Sequence, residues 1–255
     1  MPERRHYSKA PITEALIDLR VTHADSFCLE GLEAIGEAIA DQYPTREPMY
    51  LYSGQMSIEE VGDPMQAETT HRHGGFSFTN QNKQQVLQVR FDGFTFSTFA
   101  PYDRWETLRD EARRLWELYR SATGAQSVTR AAVRYINRID IPHDPIELKD
   151  YLRTYPEIPV DLPNEGQIGS FFMQLQLWQG DLDCMLIVNQ TPAPPQDEGT
   201  TSIQLDFDLF REQFAEPWRA DEDEALWSFL EQLHHRKNEV FEASITDATR
   251  RLIDE

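Results

Sequence analysis

Apolar and polar residues alternate along much of this chain, and where the alternation stops a helical spacing replaces it. Ile12 to Val21, behind Pro11, reads as a strand of mixed polarity on both faces. Leu29, Leu32, Ile35, Gly36 and Ile39 then recur at helical spacing, until Pro44 and Pro48 end the pattern. A strand from Tyr50 to Ile58 is predicted next, then a long polar loop from about Glu59 to Gly75, then the alternating run Phe76-Ser77-Phe78-Thr79. In Val86 to Ser97 the pair Asp92-Gly93 predicts a hairpin with a two-residue turn. That turn would set Phe91 opposite Phe94 and Val89 opposite Phe96 on an apolar face, with Arg90 opposite Thr95 and Gln88 opposite Ser97 on a polar one. After Pro101, Asp103 and Glu106 have the spacing of a capping box, Trp105, Leu108, Ala112, Leu115, Trp116 and Tyr119 form one apolar stripe, and Gly124 is a stop. The two tryptophans are expected to pack on the hairpin's apolar face.

The same order then recurs. Ala131 to Ile141 reads as a strand ended by Pro142, with Val133, Tyr135, Asn137, Ile139 and Ile141 on one face and Arg134, Ile136, Arg138 and Asp140 on the other. A short helix around Ile146 to Arg153 and a proline-spaced extended connection from Pro156 to Gly169 follow. Three strands are predicted over 171–178, 182–189 and 202–210, with a turn at Gly180-Asp181 and a proline-rich acidic loop from Gln190 to Thr201. Gln174 and Gln176 alternate with Met173, Leu175 and Leu177, and Gln204, Asp206 and Asp208 alternate with Ile203, Leu205, Phe207 and Leu209. A long helix begins near Asp221, and Thr246 with Asp247 marks a kink where a new turn is capped. Its apolar stripe could alternatively serve as a homodimer seam.

Each half, 1–124 and 125–255, thus reads strand, helix, three or four antiparallel strands, helix. The expected class is α+β, a tandem pseudo-repeat with TATA-binding-protein-like or helix-grip-like architecture, packed as one globular unit. Long helices would cover one face of a continuous curved sheet, and the other face would be polar and concave.

Composition narrows the partners. The chain has 255 residues and a formal net charge of −20. With 13 basic and 19 acidic residues, positions 1–124 carry −6; with 11 and 25, positions 125–255 carry −14. Such a surface repels phosphate backbones, so direct nucleic-acid binding is not expected, whereas a basic protein partner would be attracted. No apolar run spans a membrane and the charged start MPERRHYSKAP lacks a signal peptide's apolar stretch, so a cytoplasmic location is expected. Cys28 and Cys184 lie in separate halves without metal spacing.

The chemistry-bearing candidates lie on the polar sheet face. Arg134 and Arg138 share one face of a strand, roughly 13 Å apart at about 3.3 Å per residue. With Asp206, Asp208, Arg90 and Gln174 they could hold an anionic or zwitterionic ligand through forked guanidinium contacts, or could form cross-strand ion pairs on a solvated face. Glu14 and Asp18 could form a carboxylate pair, but read better as a solvated edge. His71 and His73 in the loop and His234-His235 in the helix do not supply a metal-ligand set, and no nucleophile elbow or phosphate-binding glycine motif occurs, so neither metal nor cofactor is expected.

Ala10-Pro11-Ile12-Thr13-Glu14-Ala15, the run Gly93 to Ser97 leading to Pro101-Tyr102-Asp103-Arg104-Trp105, Arg134 to Ile139, and Phe241 to Asp247 together resemble a sporadically distributed prokaryotic family of unassigned function. The resemblance spans nearly the whole chain. A patchy distribution suits defence-associated or toxin–antitoxin genes, and the resemblance brings no assigned activity or catalytic residues with it. The leading expectation is therefore a non-enzymatic interaction or regulatory protein. The alternatives are a small-molecule or anion sensor using the polar sheet face, and an enzyme without a recognisable motif.

Overall fold

A computed structural model describes residues 7–23, 27, 29–57, 66–142, 146–159, 161, 168–212, 218–219 and 223–254. The alternating run behind Pro11 becomes strand β1 (Ile12–Thr22), and the first apolar stripe becomes helix α1 (Leu29–Ile39), which buries Leu32, Ile35, Gly36 and Ile39. Next come β2 (Thr45–Ser57), β3 (Gln66–Thr79), β4 (Gln85–Arg90), β5 (Gly93–Phe99) and α2 (Trp105–Thr123). The second half supplies β6 (Ser127–Pro142), a one-turn α3 (Leu148–Tyr151), β7 (Met173–Gln179), β8 (Cys184–Ala193), β9 (Thr200–Glu212), the short β10 (Trp218–Arg219), α4 (Asp223–Ser244) and α5 (Asp247–Asp254). The fold is α+β, with five helices and one large antiparallel sheet among the described residues.

The sheet runs β2-β3-β4-β5-β1-β6-β9-β8-β7, with β10 on the end of β6. Its centre is the β1/β6 pair, where Ile17 stands opposite Val133 and Leu19 opposite Ala131. Glu14 and Asp18 are therefore not on an edge, as their spacing suggested: β1 has a neighbour on both sides, and Asp18 is buried. Alternation sends Ile17, Leu19, Phe94, Phe96, Val133, Tyr135, Phe207 and Leu209 into the core. Trp116 and Tyr119 of α2 meet Phe94 edge-on, with ring centroids 5.9 Å apart, as the stripe predicted. Phe241 of α4 packs on Phe207 in the same way. The stripe residues Leu226, Phe229, Leu230, Leu233 and Phe241 are buried inside the chain.

Several boundaries differ from expectation for identifiable reasons. Residues 66–75, read as loop, lie in β3, where backbone pairing with β2 continues although the side chains lack apolar alternation; 59–65 lie outside the described residues. The hairpin turn is Phe91-Asp92, so Val89 faces Phe94 and Leu87 faces Phe96, a two-residue slip that takes Phe91 out of the ladder but keeps the paired side chains on their predicted faces. Gly93 is required here for close approach instead of positive φ: a Cβ on it would lie 2.3 Å from the Leu19 carbonyl oxygen of β1. The N-cap of α2 is Arg104, not Asp103, whose carboxylate accepts from Thr107 Oγ1 at 2.7 Å. Gly124 ends the helix in the left-handed conformation, φ 63°, as predicted. The expected acidic loop 190–201 is shorter, because β8 runs on to Ala193 and β9 starts at Thr200. The predicted start at Asp221 lies outside the described residues. The kink is a true break: Ile245 is buried and bridges to Leu152, while Thr246 Oγ1 donates to the Asp150 carbonyl at 2.6 Å.

Candidate functional site

The same alternation that fills the core leaves the other sheet face to Asp18, Arg20, Gln88, Arg90, Thr95, Arg130, Arg134, Arg138, Asp140, Asp206 and Asp208. Asp18 is the hub. It accepts from Arg90 Nη2 at 2.9 Å, Thr95 Oγ1 at 2.6 Å, Arg130 Nη1 at 2.8 Å and Arg20 Nε at 3.3 Å. Burial alone would raise its pKa, but Arg90, the Thr95 hydroxyl, Arg20 and Arg130 together hold it below the ordinary carboxylate value. Arg130 reaches on to Asp208, Nη2 to Oδ2 3.1 Å, and lies over the Phe210 ring at 4.5 Å. Between these groups, opposite both Asp18 and Phe210, sits the small and fully buried Ala132, which leaves Arg130 room to bridge two strands.

Arg134 forms a forked pair with Asp206, Nε to Oδ1 2.8 Å and Nη2 to Oδ2 2.6 Å. Asn189 donates to the same carboxylate at 3.0 Å and accepts from Gln174 at 2.8 Å, so Gln174 joins this cluster through an amide relay. Asp208, by contrast, has its pKa raised: burial dominates, Arg130 and Arg134 oppose it, and Asp206 and Asp18 add to it. Arg138 belongs to a separate group, donating to Asp140 at 2.9 Å, to Ser202 at 2.9 Å and to the Pro194 carbonyl at 2.7 Å.

The six predicted residues therefore share one sheet face but do not converge on a single point. Arg134, Asp206 and Gln174 form one cluster, Arg90 and Asp208 are tied together through Asp18 and Arg130, and Arg138 stands apart. Asp18 was read from the sequence only as half of a carboxylate pair or a solvated edge, and Arg130 and Ala132 were not singled out, although the positions of all three in the alternation put them on this face. The open cleft of about 670 Å³ lined by Arg120, Ser121, Ala125, Gln126 and Arg219 lies at the end of α2 and contains none of them.

The opposite face holds a second polar group that sequence reading passed over. Lys237 falls on the apolar stripe four residues from Leu233 and from Phe241; its Nζ lies 4.0 Å from the Tyr135 ring centroid, and burial pushes its pKa down to about 7. His234, considered earlier only as a metal ligand, stacks on Trp105 at 4.5 Å and meets the Tyr135 hydroxyl at 3.1 Å. His71 and His73 lie in β3 beside Tyr50, and no group of three metal-ligating side chains occurs among the described residues. Cys184 is buried, which raises its thiol pKa to about 11. No described helix is long and apolar enough to cross a membrane. No protein-family model matches the chain, and no curated protein is significantly similar to it.

Proposed function

We propose that this is a non-enzymatic interaction protein that presents the polar face of its sheet to a protein partner. The observation that carries this reading is the internal neutralisation of that face: Arg20, Arg90, Arg130, Arg134 and Arg138 are paired with Asp18, Asp92, Asp140, Asp206 and Asp208. A site for a free anion keeps cationic donors uncommitted. A broad face of fixed, mutually paired charges instead suits recognition by area and shape, with polar groups setting register. The net charge of −20 would steer a basic partner toward the molecule. A cytoplasmic regulator of a basic effector, in a defence or toxin–antitoxin setting, fits both this charge and the resemblance of the chain. Affinity capture from the native host should recover a stoichiometric protein; recovery of the chain alone would sink the reading.

The tandem pseudo-repeat belongs to the same proposal. In its support, the last long strand of each half returns beside the first, β5 next to β1 and β9 next to β6, and each half closes with a helix on that pair. The TATA-binding-protein-like expectation rests on this order of elements alone.

One observation favours the anion-sensor reading as a second choice. Arg134 keeps about two fifths of its side chain exposed, and its Nη1 bonds no described residue. If no metabolite in a thermal-shift panel moves the wild type, or if shifts persist in Arg134→Ala, that reading fails.

A further inference from the structure

Of the six exposed large apolar side chains among the described residues, five lie on or directly beside the two outer strands of the sheet, Tyr50 and Leu51 on β2 and Phe172, Leu177 and Trp178 at or on β7, and the sixth, Ile168, precedes β7 in the chain. Phe172 and Trp178 are the most exposed, at 68% and 61%. Outer strands present unpaired backbone donors and acceptors, and soluble proteins blunt them with charge or proline. The two edges differ in this respect. β2 carries Arg46, Glu47 and Pro48. β7, Met173-Gln174-Leu175-Gln176-Leu177-Trp178-Gln179, has neither a charged residue nor a proline, in a chain that is 27% charged.

The segment is also palindromic in chemistry. Phe172-Met173-Gln174-Leu175-Gln176-Leu177-Trp178 reads aromatic, aliphatic, glutamine, leucine, glutamine, aliphatic, aromatic in either direction. An antiparallel copy related by a two-fold axis through Leu175 would set Phe172 opposite Trp178, Met173 opposite Leu177, Gln174 opposite Gln176 and Leu175 opposite itself. Every cross-strand pair would join like with like, in the combinations that stabilise antiparallel ladders. Two chains of net −20 repel over most of their surfaces, and an uncharged strand is a place where they can approach. Pairing β7 with β2 of the next molecule would be head-to-tail and would propagate without closing, and Pro48 with its charged neighbours opposes it; pairing β7 with itself closes after two copies.

We propose that the occupant of the β7 edge is a second copy of this chain, joined antiparallel about Leu175 to extend the sheet across a two-fold homodimer. This is independent of the polar-face function, which either assembly could serve. The test uses sedimentation velocity over a concentration series, with disulfide trapping as a register-specific readout. The wild type should sediment at twice the 29.7 kDa chain mass, and Leu177→Lys should weaken association at least tenfold without altering its circular dichroism spectrum. Under mild oxidation, Gln174→Cys mixed with Gln176→Cys should form a crossed disulfide dimer. Either variant alone should link poorly, because its two copies would be offset by two residues, about 6.6 Å along the strand. The parent chain, with Cys28 and Cys184, is the control. A monomeric wild type throughout the series, open-ended polymers, a dimer indifferent to Leu177→Lys, or equal linking of the single variants would each overturn the proposal.

Discussion

Asp18 and Asp208 are neighbours in one charge lattice, yet they should respond to pH in opposite directions. In Asp18→Asn the hub loses its charge and one of its acceptor oxygens. Arg90, only 8% exposed, keeps Asp92 at 3.2 Å, and Arg130 keeps Asp208 at 3.1 Å. Removing one partner of a buried ion pair costs about 3–5 kcal/mol, and these residual partners place Asp18→Asn near the low end, about 3 kcal/mol. In a chain of this size that lowers the melting temperature by about 6–12 °C. Because the folded pKa of Asp18 lies below its ordinary value, its stabilisation is complete above the unfolded value and is lost as pH falls through the folded one. The gap between wild type and Asp18→Asn should thus be full at pH 5–7 and close below about pH 4. Asp208 has a raised folded pKa, so its contribution is present below the unfolded value and lost as pH rises through the folded one. Asp208→Asn should therefore cost less than about 1 kcal/mol at neutral pH, with the wild type gaining on it in acid. Urea unfolding of all three proteins from pH 7 to pH 3 measures both trends. A loss below about 1 kcal/mol in Asp18→Asn, or parallel pH dependence of the two variants, would refute the hub assignment.

Lys237→Met should stabilise the protein at pH 7. The folded pKa near 7 lies below the unfolded value of 10.5, so wild-type stability rises with pH between the two, and the variant's advantage, about 2–5 kcal/mol at neutrality, should shrink toward pH 10; an advantage that does not change with pH would contradict the burial of the amine. Gly93→Ala should destabilise by more than about 1–3 kcal/mol, the usual cost of overpacking, because the new methyl meets β1 backbone and not a movable side chain. Chemical denaturation would show this, and a neutral result would mean that β1 and β5 can separate locally.

How much was legible in the sequence depended on whether local pattern or pairing partner decided the outcome. Alternation assigned the correct face to the paired hairpin residues Gln88 to Arg90 and Phe94 to Ser97, because face depends only on a period of two. It could not choose among registers of equal parity, and the true one followed from the approach of β1 to Gly93, a contact between residues far apart in sequence. Asp18 was misplaced for the same reason. Nothing local reveals that β1 pairs on both sides, which turns a polar position from a solvated edge into a buried hub. The six candidate residues did lie on one face, as their spacing implied, but their division into three groups depends on diagonal reach across strands, as when Arg134 passes Asp208 directly opposite and takes Asp206. Lys237 was legible in principle, since helical spacing alone sets it on the buried stripe between Leu233 and Phe241.

The central claim, that the neutralised polar sheet face docks a protein, is tested most directly by blocking that face without breaking its ion pairs. Gln88 and Gln204 are partly exposed on it, and the double variant Gln88→Trp/Gln204→Trp would cover it with bulk while leaving the arginine–aspartate pairs intact. Quantitative affinity capture from the native host should recover a stoichiometric protein other than the chain itself with the wild type, and lose it with the folded double variant. Capture of no such protein, or equal capture by both, would contradict the claim.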